Sequence, residues 1–414
     1  MTSCFGEQVQ VIQVEDLPAS PPGRCGWPWT EGTRVAGEAG RFPPVSVVTP
    51  SYNQAAFLEE TIRSVLLQGY PNLEYGVMDG GSTDGSVEII RKYAPFLSFW
   101  QSQPDKGQTD AINRGMEKCS GFILAYLNSD DVYEPGAFQT VAPLFEQDAA
   151  DVVYGGFVAI DETGTVRARY QAHPFDAGRL LLDNTIAQPS TFWSANVQET
   201  IGEFDARLHY SMDYDYWMRA CAAGFRFKNT DQCLSRFRFH SGSKTVAHAA
   251  SFGDDILVSL RSLEERGTLP EAMNAMMPRA ICRAGWRAAV ACYANGDTGS
   301  ARRHVESAIL SVPNHPNDEE LEIAFQLCAV SAEGVVDPRE FRRRKNGLGL
   351  QRGGASSAWR ERLNREYNER SVTGSPSPGR IVMALMDDPR RLLNWGFRRA
   401  LIALSKSLFV GFRQ

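Results

Sequence analysis

The chain has 414 residues, 43% of them apolar, and a formal net charge of −6, which is too long for one ordinary core and supports two domains. The acidic balance argues against a nucleic-acid partner, and eight scattered cysteines without a C-x-x-C pair fit reduced thiols and neither a zinc site nor a disulfide frame. With no basic segment ahead of an apolar core at the amino terminus and no apolar run of transmembrane length, a cytoplasmic location is expected.

Residues 1–43 read as an irregular arm rich in Pro and Gly, with Trp27 and Trp29 of Gly26-Trp27-Pro28-Trp29 expected to pack on the domain that follows or on a partner. Residues 44–250 then alternate between strand and helix texture. Val45 to Thr49 is a β-branched strand closed by Pro50-Ser51-Tyr52-Asn53, and a helix follows with Leu58, Ile62, Val65 and Leu66 on one face. A second strand, Leu73 to Met78, ends in Asp79-Gly80-Gly81-Ser82-Thr83-Asp84-Gly85, whose Ser82 to Asp84 can cap the helix through Tyr93. A third strand near Leu97 to Trp100 leads into Pro104-Asp105-Lys106-Gly107-Gln108 and a helix carrying Ala111, Ile112 and Met116. The fourth, Phe122 to Leu127, stops abruptly at Asn128-Ser129-Asp130-Asp131.

This alternation implies an α/β fold with a mostly parallel sheet flanked by helices. Ligands of such sheets bind beyond the carboxyl ends of the strands, and every polar cluster named above lies at that end. Asp130 and Asp131 either open a turn and cap the helix after Pro135 or hold a cation, for which oxygen ligands suit Mg²⁺ or Mn²⁺. Asp79 and Asp130 can accept bonds from ribose hydroxyls or a base N–H, Tyr52 offers a stacking face, Lys106 a compact charge, and Asp131 a metal ligand. Together they suit a nucleotide with a diphosphate. The glycine-rich turn after Asp79 is neither G-x-G-x-x-G nor a P-loop, so a metal and not a backbone cradle is expected to hold the phosphates.

The series Thr49-Pro50-Ser51-Tyr52-Asn53, Met78-Asp79-Gly80-Gly81-Ser82-Thr83-Asp84-Gly85-Ser86, Asp105-Lys106-Gly107 with Asn113-Arg114-Gly115, and Leu127-Asn128-Ser129-Asp130-Asp131 resembles the family 2 glycosyltransferases of the GT-A fold, over residues 44–245. The resemblance implies a nucleotide-sugar donor held by Pro50, Tyr52, Asn53, Asp79, Lys106 and Asp130, and Mn²⁺ or Mg²⁺ on Asp131. It departs from the commonest wording at Asn128 and Gly80, where many members carry Asp.

Further along, Asp151 to Ile160 and Val166 to Tyr170 read as strands around an Asp161-Glu162-Thr163-Gly164 turn. Gln188-Pro189-Ser190 resembles the family's segment ahead of the acceptor-side helix, which implies an acceptor role; read from the residues alone it is a turn into an edge strand. The helix near Asp213 would bury Tyr214, Trp217, Met218 and Cys221, with its acidic end at a cleft and Trp217 toward the acceptor. By the family pattern Asp213 is the catalytic base of an inverting transfer to a carbohydrate or lipid-linked hydroxyl, while Asp215 is a cap or a partner for Arg219. His240 of Phe237-Arg238-Phe239-His240 corresponds to a histidine that completes the metal shell or meets the diphosphate, with Lys244 nearby.

Helical text dominates residues 251–340, where Trp286 to Pro313 resembles one tetratricopeptide-type hairpin or an ordinary helical pair. Residues 341–377 read as a basic, then Gly/Ser/Pro-rich linker. Residues 378–414 form a cationic amphipathic pattern that suits either an anionic membrane surface or a packed helix with a solvated face. Two other functions compete: a sugar-phosphate nucleotidyltransferase, which should carry an early basic glycine-rich loop, and a non-catalytic nucleotide-sugar-binding module.

Overall fold

The structure is a computed structural model that describes residues 11–34, 42–147, 150–240, 242, 244, 249–294, 299–300 and 303–304. The chain divides into two units, 1–247 with 268–270, and 248–267 with 271–414.

In the first unit, β1 (Val45–Ser51), β2 (Leu73–Asp79), β3 (Phe99–Ser102) and β4 (Ile123–Tyr126) lie in the order 3-2-1-4 and run parallel. The crossovers are α1 (Leu58–Leu66), α2 (Ser86–Tyr93) and α3 (Gln108–Met116). Every residue of β1 is buried, which is why its sequence is a continuous β-branched run and not an alternation: both faces of an interior parallel strand are covered. The helix α3 lies close on the sheet because residue 115 is glycine; a Cβ there would come within 2.4 Å of Val48 Cγ1.

The second half of the sheet mixes directions. β5 (Val132–Tyr133), α4 (Ala137–Gln147), β6 (Val152–Asp161), β7 (Val166–Tyr170), α5 (Ala177–Leu182), β8 (Thr191–Ser194), α6 (Ala195–Ile201), α7 (Met212–Ala222) and β9 (Phe227–Phe239) follow in the chain. β8 is antiparallel to both β4 and β6, β9 is parallel to β6 and antiparallel to β5, and β7 hangs on β6. Thus β8, which the sequence suggested as an edge strand, is interior, and its four residues are buried.

The described part of the amino-terminal arm packs on this unit. Trp27 and Trp29 are buried, and the Trp27 indole donates to the Tyr133 carbonyl (2.8 Å). Arg63 of α1, 1% exposed, donates to the carbonyls of Pro18 (2.8 Å), Pro28 (3.0 Å) and Trp29 (2.7 Å), and to the Tyr93 hydroxyl (3.0 Å).

The second unit contains helices Ala249–Arg266, Glu271–Asn274 and Met277–Ala294. The two long ones approach closely at Gly253, where a Cβ would meet Ala288 Cβ at 2.3 Å. The suggested hairpin is described only in its first half, as part of one helix to Ala294. The linker and the cationic amphipathic segment lie outside the described residues. No described helix is long and apolar enough to cross a membrane, and six described cysteines are free thiols.

Candidate active site

Because β1 pairs with β2 on one side and β4 on the other, the chain order reverses between β1 and β4. Loops leaving adjacent strands at such a point diverge and open a crevice. On one side of it, Pro50 is buried at the end of β1 and the loop that follows exposes Tyr52 at 63%. Asn53 adopts a left-handed conformation (φ 51°), which asparagine tolerates better than most residues. Its N–H donates to Ser82 Oγ (2.8 Å), and its Oδ1 accepts from the Thr83 N–H (3.0 Å). With Gln54 N–H on Ser86 Oγ (3.0 Å) and Ala55 N–H on Asp84 Oδ2 (2.9 Å), the first two loops form one unit.

Asp79 ends β2 in register with Ser51 and Ser102. Its carboxylate accepts from the N–H groups of Gly81 (3.0 Å) and Ser82 (2.9 Å) and the hydroxyls of Ser82 (2.5 Å) and Ser102 (2.7 Å). It therefore organises this loop from within. Glycine at position 80 also has a reason: a Cβ there would lie 2.8 Å from Asp105 Oδ2, so a second acidic side chain would meet an existing one. Lys106 is exposed beside it, and Gly107 (φ 110°) donates its N–H to Asp105 Oδ1 (2.8 Å).

The acidic loop faces these from β4. β5 pairs Val132 with Arg236 and Tyr133 with Ser235, which brings the end of β9 alongside Asp130 and Asp131. His240 Nε2 lies 3.0 Å from Asp130 Oδ2, and both side chains keep some exposure, 9% and 17%. Asp131 differs. It has no exposed surface, its Oδ1 accepts the Arg238 N–H (2.9 Å), and its carbonyl accepts the Thr61 hydroxyl (2.7 Å). Burial and the neighbouring Asp130 push its carboxyl well above the usual range, opposed by the Arg238 N–H and charge. The sequence reading put His240 with Asp131 on a metal; the structure brings His240 to Asp130 and leaves Asp131 underneath. Asn128 accepts from Gln108 Nε2 (2.5 Å) and donates to Gln188 Oε1 (3.3 Å).

Asp213 lies in the first turn of α7, which is seated by an aromatic cluster. Phe204 stacks on Tyr216 (4.0 Å between centroids), Trp193 meets Trp217 (5.6 Å), and Tyr126 meets Phe204 (5.4 Å). From α3, Asn113 clamps the Phe204 backbone at both its N–H (3.1 Å) and its carbonyl (2.8 Å), and Thr109 holds the Leu208 carbonyl (3.0 Å). Asp213 is half-buried. It accepts from the Tyr214 N–H (2.8 Å) and Asn184 Nδ2 (3.1 Å). Burial raises its pKa to about 6 against these two bonds. Asp215 pairs with Arg219 (2.7 Å), both buried. The Tyr126 phenol lies within electrostatic reach of both Asp213 and Asp131, and with its own burial this holds its proton firmly.

The acceptor residues named from sequence need correction. Trp217 and Ser190 have no exposed surface and Gln188 is 8% exposed; Pro189 is buried with them. Gln188 donates to the Tyr126 carbonyl (2.7 Å), and Ser190 to the Gly156 carbonyl (2.7 Å). They brace the wall of the site from inside, and an acceptor cannot touch Trp217 or Ser190. Lys244 donates to the His209 carbonyl (2.9 Å).

Sequence reasoning missed Arg238, 1% exposed. Its guanidinium holds the Asp130 carbonyl (2.8 Å), Glu60 of α1 (3.0 Å) and the Asp161 carbonyl (3.2 Å), and lies 4.9 Å over the Phe57 ring, whose other neighbour is His240 (4.8 Å). An arginine between two phenylalanines on a strand was the only signal, and it does not say what the arginine meets. Asn184 and Tyr126 were missed as well.

The family model described as glycosyl transferase family 2 matches residues 46–202. A PGL/p-HBAD biosynthesis glycosyltransferase of Mycobacterium bovis is 31% identical over 182 residues, 43% of this chain and 69% of the relative. An uncharacterized glycosyltransferase of Rickettsia felis is 31% identical over 219 residues, 50% of this chain but only 36% of the relative, so the chain spans about a third of that protein. In fold, the chain is similar to S. aureus TarS 1–349 in complex with UDP-GlcNAc, with a TM-score of 0.53, 15% identity, and coverage of 74% of this chain and 89% of that one.

Proposed function

The chain belongs to glycosyl transferase family 2, and from that premise we propose that it is an inverting, metal-assisted transferase moving a sugar from a nucleoside diphosphate donor to a hydroxyl acceptor. The observation that carries this reading is that Tyr126, the last residue of β4, lies within electrostatic reach of both Asp131, in the loop after β4, and Asp213 of α7. One set of side chains suits a donor and the other suits an acceptor.

The donor base and ribose fit between the exposed Tyr52 ring and the laced loops carrying Asn53 and Asp79, with Lys106 at the rim. Asp130 and His240, adjacent and partly exposed, are the residues that would hold a hard cation. We assign the cation to them and make Asp131 their buried support. Held there, Mn²⁺ or Mg²⁺ would supply positive charge to offset the charge that develops on the diphosphate leaving group.

The chain's own part in the chemistry falls to Asp213. Its carboxylate takes the proton of the acceptor hydroxyl as that oxygen bonds to the anomeric carbon, and the bond to the diphosphate breaks on the opposite face. Attack from that side inverts the anomeric centre. A base with its pKa at about 6 is ionised at neutral pH and still basic enough to accept that proton.

A carbohydrate or lipid-linked hydroxyl is the acceptor class, and the cationic pattern of residues 378–414 suits either a lipid surface or a packed helix with a solvated face. UDP-GlcNAc, the ligand in the TarS complex, is the first donor to assay, within a panel of nucleotide sugars. Wild-type protein should transfer or slowly hydrolyse one member in a cation-dependent manner. Turnover by none, with or without Mn²⁺, would leave a binding module in its place.

A further inference from the structure

We infer that Asn184 is a positioning residue for Asp213, its side-chain amide holding the carboxylate toward the incoming acceptor hydroxyl. This rests on the reading of Asp213 as the base and adds a residue outside the motifs that identify the family.

The placement is built and does not depend on one bond. The helix α5 is capped at its start by Asp176, which accepts the Arg179 N–H (2.8 Å), and it buries Leu180 and Leu181. The buried Tyr214 hydroxyl donates to the Leu181 carbonyl (2.8 Å). That bond fastens the end of α5 to the first turn of α7, one residue from Asp213. Three residues after Leu181, the exposed Asn184 donates Nδ2 to Asp213 Oδ2 (3.1 Å), while the Tyr214 N–H occupies Oδ1 (2.8 Å). Each carboxylate oxygen thus has one fixed donor and keeps a lone pair for a proton. The Asn184 Oδ1 has no bond among the described residues and stands at the surface beside the base, where it can accept from a neighbouring hydroxyl of the same sugar.

An amide suits this position, since an acid would replace the donor by a second negative charge. The other ionisable groups near Asp213 are Tyr126 on β4, Asp183 beside Asn184, Asp215 on α7 neutralised by Arg219, and His209 and Tyr210 ahead of α7, where Lys244 is held by the His209 carbonyl.

The test is carboxyl-carbon NMR of protein labelled at aspartate, with the Asp213 resonance identified by its loss in Asp213→Asn. In Asn184→Ala the Asp213 midpoint should rise by about half a unit or more, because a bond to the charged form is lost; in Asn184→Asp it should rise further. The slope of turnover against pH should move with it, whereas a structural defect would lower turnover equally at every pH. An unchanged midpoint in both variants, with native circular dichroism, would overturn the role of Asn184. Retained transfer in Asp213→Asn would instead remove the base assignment and leave the measured contact standing.

Discussion

At the scale of single residues, Asp213 carries the sharpest expectations. A folded-state value of about 6, above the roughly 3.9 of an unfolded aspartate, means that the folded protein binds more protons between about pH 4 and 6. Stability therefore falls as pH rises through that window, by at most about 3 kcal/mol if all of the shift is realised. Asp213→Asn should lower transfer by about a hundredfold or more, yet raise the melting temperature at pH 7.5 and not at pH 4, a pairing that calorimetry and an assay check together. In the wild type, turnover should climb about tenfold per pH unit below 6 and level off above it. Asp130 and Asp131 separate by the same logic. Asp130→Ala should abolish cation-dependent donor binding in titration calorimetry with little change in stability. Asp131→Ala should cost about 1–3 kcal/mol by orphaning the buried Arg238 N–H.

At the scale of elements, the amino-terminal arm is held by α1 through one buried guanidinium. Arg63→Ala removes four hydrogen bonds at once and leaves the Pro18 and Pro28 carbonyls without a donor, while the Trp29 carbonyl keeps the Ser20 hydroxyl. The expected loss is about 2–4 kcal/mol in chemical denaturation, with a change in tryptophan fluorescence as Trp27 and Trp29 are uncovered. An unchanged emission spectrum would show that the arm is held by other contacts. The helix α3 has a comparable role at the site, because Asn113 and Thr109 fix the segment that leads to α7. Asn113, Arg114 and Gly115 stood out in the sequence as a motif without a stated purpose. The structure supplies one: Asn113 clamps Phe204 and Gly115 lets the helix touch β1.

At the scale of the whole molecule, the two halves of the sheet divide the labour. The parallel half ends in the loops assigned to the donor, and the mixed half brings His240 and Arg238 to the acidic loop from over a hundred residues away. A matched nucleotide sugar with Mn²⁺ at a hundred times its Kd should stabilise the protein by about 2.7 kcal/mol, and the sugar nucleotide alone by much less. Equal thermal shifts with and without the cation would remove the metal from the donor site.

The parallel half was legible because its signals are local: apolar runs, polar strand ends and glycine turns within about eighty residues imply alternating strands and helices whatever lies elsewhere. Asp215 pairs with Arg219 as its spacing suggested, whereas of the expected caps only Asp84 meets α2, at the Ser86 N–H, and Ser82 bonds Asn53 and Asp79 instead. What only the tertiary structure decided is which carboxylate stays in reach of solvent and which is covered. Asp130 and Asp131 are neighbours in sequence with the same chemistry, and the strand pairing of β5 with β9 turns one toward His240 and seals the other beneath Arg238. The same holds for Ser190, polar by composition and yet buried. Burial depends on contacts between residues far apart in the chain, and a local pattern cannot contain them.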